Sequence, residues 1–128
     1  MIQKIIVLGS TGMLGSVVSK YLAMKDYDVK TPTRKEIDIE NQNSIYKLEE
    51  MIEKDTAYII NCAGVIKPRM NEEEPDSTFE INSGFPIKIA GMINALRTRD
   101  YPVKLIHIST DCVFTGDTPG KYQVEDIP

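Results

Sequence analysis

One stretch near the N-terminus constrains the fold more than any other. An apolar, largely β-branched run, Ile2 to Leu8, stops at Gly9-Ser10-Thr11-Gly12 and gives way to Leu14, Val17, Val18, Tyr21 and Leu22 at helical spacing. Consecutive apolar positions predict a strand covered on both faces, as in a parallel sheet. The stripe over Met13 to Lys25 predicts a helix. Strand, tight turn and helix together open a βαβ unit. The pattern then repeats. Tyr27 to Thr31 reads as a second short strand ended by Pro32, and Glu36 to Ile39 as a third, very short one. Ser44 to Lys54 predicts a helix with Asn43 as its cap. Ala57 to Asn61 predicts a strand, Cys62 to Glu74 a loop, and Asp76 to Asn82 a helical stretch opened by Pro75. Pro86 is expected to restart a helix, Ile87 to Arg97, rather than continue the one before it. Val103 to Ile108 is the last strand, and Thr115 to Gly120 reads as a loop. Strands alternating with helices imply an α/β fold, a Rossmann-like doubly wound parallel sheet with right-handed crossovers.

Composition excludes several function classes. The 128 residues suit one domain. With 41% hydrophobic and 27% charged residues, the chain has the make-up of a globular protein rather than a disordered one. A net charge of −4 argues against nucleic acid as a partner, because phosphate binding needs a positive surface. The longest apolar runs are four residues, such as Ile5-Ile6-Val7-Leu8, far below the ~20 of a membrane span or the ~7–15 of a signal sequence. Cys62 and Cys112 form no Cys-x-x-Cys, and His107 is the only histidine, so neither a disulfide framework nor a metal site is expected. A reducing cytoplasm fits best.

Gly9-x-x-Gly12-x-x-Gly15 carries the strongest chemical signal. The chain must turn sharply at Gly9. Gly12 leaves room for a pyrophosphate to approach the backbone, and Gly15 lets the helix pack closely. Phosphates would sit on the helix N-terminus, where unpaired N–H groups and the helix dipole favour anions. Glycines near a turn are common. It is their position between a buried strand and an amphipathic helix that points to dinucleotide binding.

This spacing, with three further elements, resembles the extended branch of the short-chain dehydrogenase/reductase superfamily. Asn61-Cys62-Ala63-Gly64 resembles that family's Asn-x-Ala-Gly element. Ile108-Ser109-Thr110-Asp111-Cys112-Val113-Phe114-Thr115-Gly116 resembles the Ser-Thr-Asp-Tyr-Val-Phe-x-Gly element of dTDP-4-dehydrorhamnose reductases. Thr33-Arg34-Lys35-Glu36-Ile37-Asp38-Ile39 is similar to their stretch after the second strand.

The resemblance implies roles residue by residue. Gly9, Ser10, Thr11, Gly12, Met13, Leu14 and Gly15 would cradle the pyrophosphate. No acid stands at the end of the second strand to hold a ribose 2′-hydroxyl, whereas Arg34 can offer a planar fork to a 2′-phosphate, so NADP is favoured with NAD as the alternative. Arg34 could equally be an ordinary solvated charge. Asp38 and Ile39 would border the adenine. Cys62, Ala63 and Gly64 would pass near the cofactor, Asn61 would tie strands together, and Asn82 and Ser109 would lie toward the nicotinamide half. For Asn82 a surface or capping role is as good a reading. Thr110 matches the residue that hydrogen-bonds the substrate carbonyl, with Asp111 and Phe114 on the substrate side. Cys112 stands where a Tyr is common and reads as a packing residue. His107, within an apolar strand, reads as a satisfied core histidine.

The family's catalytic Tyr-x-x-x-Lys does not follow residue 110; Tyr122 has Asp126 four positions on. Residues 1–128 are therefore expected to be the NAD(P)-binding portion of a domain that stops before that helix, inactive by itself. The implied activity is reduction of the 4-keto group of a 6-deoxy sugar nucleotide by hydride transfer. Two alternatives stay open. One is a non-catalytic NADP-binding module resembling the regulatory subunit of methionine adenosyltransferase; the other is another sugar-nucleotide epimerase or dehydratase of the superfamily. The expected partner is a nucleotide sugar, not nucleic acid or membrane. Homo-oligomerisation is left open, with self-association expected from apolar residues exposed on the last strand.

Overall fold

In a computed structural model, residues 2–66, 75–110, 114, 116–117 and 120–126 are described. The order is β1 (Lys4–Leu8), α1 (Met13–Met24), β2 (Asp28–Lys30), α2 (Ser44–Glu50), β3 (Thr56–Asn61), α3 (Pro75–Phe79), a π-helical turn (Glu80–Gly84), α4 (Phe85–Arg97) and β4 (Lys104–His107). The four strands form one parallel sheet in the order β2-β1-β3-β4. This is the Rossmann-like arrangement that the alternation of elements implied. The chain steps outward from β1 to β2, then returns past β1 to β3. That reversal leaves a crevice at the carboxyl ends of β1 and β3, where open α/β sheets bind ligands.

β1 is central, so its side chains are covered on both faces. Ile6 and Leu8 face one core with Leu48 of α2, Ile59 of β3 and Phe85, Ile89, Ile93 and Leu96 of α4. Ile5 and Val7 face the other, with Ile60, Val18 and Leu22. The continuous apolar run of β1 follows from this two-sided burial.

Expectations for four elements are corrected. Glu36 to Ile39 is not a strand. The N–H groups of Glu36 and Ile37 both donate to Thr33 O (3.0 and 2.9 Å), and the Glu36 carboxylate accepts from Thr33 N (2.7 Å) and Oγ1 (2.9 Å). Those bonds close a turn, and Ile37 is buried from it. The α2 helix stops at Glu50, and Asn43 has helical backbone angles with no capping bond from its side chain. The Ser44 hydroxyl instead donates to Asp38 O. Pro86 does not restart the helix, because α3, the π turn and α4 run on without interruption. A wider turn just before a proline relieves the clash between its ring and the carbonyl four residues back. Finally, the α1 stripe is only half used: Val18 and Leu22 pack inward, while Val17 and Tyr21 are 63% and 57% exposed.

The last strand, as expected, presents apolar surface, with Ile106 43% exposed and Ile108, just past it, 44% exposed. His107 is not a core residue; its ring is exposed at the sheet edge. Residues 67–74 of the loop expected from Cys62 to Glu74 lie outside the described residues, as do residues 115, 118 and 119 of the one expected from Thr115 to Gly120. No helix among the described residues is long and apolar enough to cross a membrane.

Candidate functional site

A cleft of about 310 Å³ opens at the carboxyl edge of β1 and β3. The glycine turn forms its floor. Gly9 sits at φ +72°, a left-handed conformation, and a Cβ there would lie 2.7 Å from Ala63 N. Glycine thus permits both the turn and the close passage of the chain leaving β3. Gly12 N–H donates to Gly9 O (3.0 Å), closing the turn. A Cβ on Gly15 would fall 2.1 Å from Gly9 O, so Gly15 lets α1 seat against the turn itself rather than against the strand. Gly12 differs from both. It is exposed, borders the cleft, and a Cβ there would meet only Gly9 O at 3.3 Å.

At the N-terminus of α1 the first-turn amides of Met13, Leu14 and Gly15 have no acceptor within the helix, and Gly12 supplies no capping side chain. These amides and the helix dipole favour an anion at this end of the cleft. Ser10 and Thr11 join the lining; the side chains of Met13 and Leu14 point elsewhere, 91% and 42% exposed.

The second wall comes from the turns after β2. Pro32, Arg34, Ile37, Asp38, Ile39 and Glu40 all line the cleft. Asp38 is held by the Ser44 hydroxyl on its carbonyl. Arg34 reaches the cleft with its guanidinium already engaged. Its Nη2 pairs with Glu40 Oε2, and its Nε lies 3.6 Å from Asp38 Oδ1. The other oxygen of Glu40 accepts from Ser77 Oγ on α3. Sequence reading missed Glu40. The sign of its charge, six positions beyond Arg34, was the only signal, and no local periodicity joins the two.

Cys62, Ala63, Gly64 and Val65 make the third wall. Asn61, fully buried, fixes where it begins. Its Oδ1 accepts from Ala63 N (3.1 Å), and its Nδ2 donates to His107 Nδ1 (3.2 Å). The amide therefore ties β3 to β4, as expected. Asn82 pins the same wall from the π turn: its Oδ1 accepts from Val65 N (2.8 Å), and its Nδ2 donates to Val65 O (2.9 Å). Its amide thus shapes the cleft through the backbone of Val65, and is neither a cap nor an ordinary surface group. Burial pushes the Cys62 thiol up, which disfavours the thiolate.

The structure brings together Gly9 to Gly12, Arg34, Asp38, Ile39 and Cys62 to Gly64. Ser109 and Thr110 stand apart from this group, exposed just past β4 on the same edge of the sheet. Phe114 stacks on Tyr122 with ring centroids 4.3 Å apart and planes 8° from parallel. Asp111 and Cys112 fall outside the described residues. Among the described residues no three His, Cys, Asp or Glu side chains gather as a metal site.

Residues 3–128 match the family model of the RmlD substrate binding domain. The chain is 32% identical to dTDP-4-dehydrorhamnose reductase of Mycolicibacterium smegmatis, over 98% of this chain and 36% of that protein. It is 27% identical to methionine adenosyltransferase 2 subunit beta of Pongo abelii, over 98% of this chain and 37% of that protein. Among solved structures it resembles dTDP-4-dehydrorhamnose reductase of Bacillus anthracis in complex with NADP. There the TM-score is 0.74 and the identity 30%, covering 93% of this chain and 40% of that one. The chain thus spans about two-fifths of the length of the relatives it matches.

Proposed function

The chain belongs to the RmlD substrate binding domain family, and on that premise we propose that residues 1–128 form the NADP-binding part of a sugar-nucleotide reductase. The observation that carries this reading is the cleft itself. A glycine turn with unpaired helix amides, an arginine in the turns after β2 and a close-passing backbone after β3 converge on one crevice. A dinucleotide presents a pyrophosphate, a ribose and a base, and these three walls offer partners to each. The bound cofactor would supply a hydride to the keto carbon of the substrate.

The chain's own residues would do the rest. The amides of Met13 to Gly15, reached past Ser10, Thr11 and Gly12, bind the pyrophosphate. Arg34 takes the 2′-phosphate, which favours NADP over NAD. Asp38 and Ile39 flank the adenine, one accepting from its amino group and the other packing on its ring. Cys62, Ala63 and Gly64 pass the backbone alongside, with Asn82 holding that loop. Ser109 and Thr110 face the nicotinamide end, where the Thr110 hydroxyl would donate to the keto oxygen of a 4-keto-6-deoxy sugar nucleotide. Asp111 and Phe114 belong to the sugar side. For residues 1–128 alone the reading is cofactor binding without turnover, since no Tyr-x-x-x-Lys follows Thr110 within them.

A non-catalytic role has one observation in its favour, the 27% identity to methionine adenosyltransferase 2 subunit beta. A nicotinamide cofactor would then be held by the same cleft as a structural ligand.

The test of the cofactor assignment is Arg34→Ala, assayed by titration calorimetry with NADPH and NADH. Charge-assisted hydrogen bonds are worth about 1.5–3 kcal/mol, so NADPH affinity is expected to fall roughly tenfold or more with NADH affinity little changed. Equal losses for both cofactors would reduce Arg34 to a surface charge.

A further inference from the structure

The ion pairs at the lip of the cleft carry one step more, resting on the cofactor reading above. Arg34 is the guanidinium placed for a 2′-phosphate, yet Glu40 and Asp38 both lie against it. One positive charge thus faces two negative ones, and the local sum is −1 before any ligand arrives. Glu40 is itself held: Ser77 Oγ on α3 donates to its second oxygen, so the carboxylate joins the wall after β2 to α3. Both Arg34 and Glu40 line the cleft.

We propose that Glu40 is a specificity-determining positioning residue: it occupies the guanidinium that an NADP 2′-phosphate requires, and so weakens the preference for NADP over NAD. The carboxylate acts through Arg34. It stands in for the phosphate when none is bound and must be displaced when one arrives. Relative magnitudes decide the outcome of this competition. Arg34 is 77% exposed on its side chain, and an exposed ion pair is worth at most about fivefold in an equilibrium. A phosphate offers the planar guanidinium two parallel bonds and more charge. The phosphate therefore wins, but against a standing competitor. A ligand with a 2′-hydroxyl has no such contest, and leaves the Arg34–Glu40–Ser77 bridge in place.

The experiment is a titration of NADP and NAD against the 128-residue chain as wild type, Glu40→Gln, Arg34→Ala, the double variant and Ser77→Ala, with thermal melts on each to confirm folding. Glu40→Gln is expected to raise the NADP-to-NAD affinity ratio about three- to fivefold, with NAD affinity unchanged. The same change made in the Arg34→Ala background is expected to leave the ratio where Arg34→Ala put it. Ser77→Ala, which keeps the ion pair, is expected to leave the ratio at the wild-type value. An unchanged ratio in Glu40→Gln would overturn the proposal. So would an equal gain without Arg34, which would mean direct repulsion of the phosphate, or an equal gain in Ser77→Ala, which would mean a shifted loop. Should wild type bind neither nucleotide, the cofactor reading falls and this inference with it; should it bind both with no effect of Glu40→Gln, only the inference falls.

Discussion

On the face of the sheet beneath α2 and α4, Ile6, Leu8, Leu48, Ile59, Ile89 and Leu96 are all 2% exposed or less. On the α1 face, Ile5, Val7 and Ile60 are buried, but Ile106, beside Ile60 on the edge strand, is 43% exposed. The strands are equally apolar on both sides. What differs is coverage. The α1 helix lies over β1 and β2, whereas α4 reaches β4 and packs with α2 over the opposite face. The contrast separates two jobs. The α2–α4 face holds the fold together. The α1 side contributes less burial, and its specific feature is the glycine turn that seats α1 and leaves its first amides open to the cleft.

The largest expected effect tests the covered face against the open one. Ile89→Ala is expected to cost about 2–5 kcal/mol, the range for emptying a packed site. Ile106→Ala is expected to cost under about 1 kcal/mol, because its side chain is already half in water. Urea denaturation of both variants measures the difference. A cost at Ile106 as large as at Ile89 would show that the open face is covered in solution.

A smaller effect comes from charges that clamp the strands at their surface. Lys30 and Lys4 both hydrogen-bond Glu53 and hold its carboxyl down to about 2; Lys4 also pairs with Asp55 at 3.0 Å. A carboxyl whose pKa is lowered on folding adds stability above its ordinary value of 4.5 and loses it as the pH falls toward about 2. Melting temperature should therefore drop modestly between pH 4.5 and 2, with a shallower drop in Glu53→Gln. Since the group is exposed, the effect should shrink in salt. Identical pH profiles for the two proteins would mean that this cluster does not contribute to stability.

How much of this was legible in the sequence follows from the range of the interactions involved. The first strand, the glycine turn and α1 are set by neighbours a few residues apart, and all three were readable. Glu36 to Ile39 misled because Ile37 and Ile39 alternate as strand residues do, while the bonds from Thr33 to Glu36 and Ile37 that close a turn carry no periodic signal. Pro86 misled because the local rule for proline assumes an ordinary helical turn before it. The α1 stripe misled because periodicity gives an apolar face without saying what covers it. In the site, the glycines and the chain after β3 were found as motifs. Glu40 and Ser77, which meet only when the fold brings α3 beside the turns after β2, were not.

The most direct measurement is calorimetric titration of NADP into the wild-type chain and into Gly12→Val. At Gly12 the backbone suits an ordinary residue, φ being −77°, and a Cβ meets only Gly9 O at 3.3 Å, a close contact that a small shift of the turn relieves, so the fold should survive, with thermal melts of both proteins to verify it. The branched side chain would, however, stand where the pyrophosphate approaches the helix amides. Saturable binding by wild type and a loss of roughly tenfold or more in the variant is the expected result. Equal affinity in the two proteins, or no binding by a folded wild type, would contradict the assignment of this cleft.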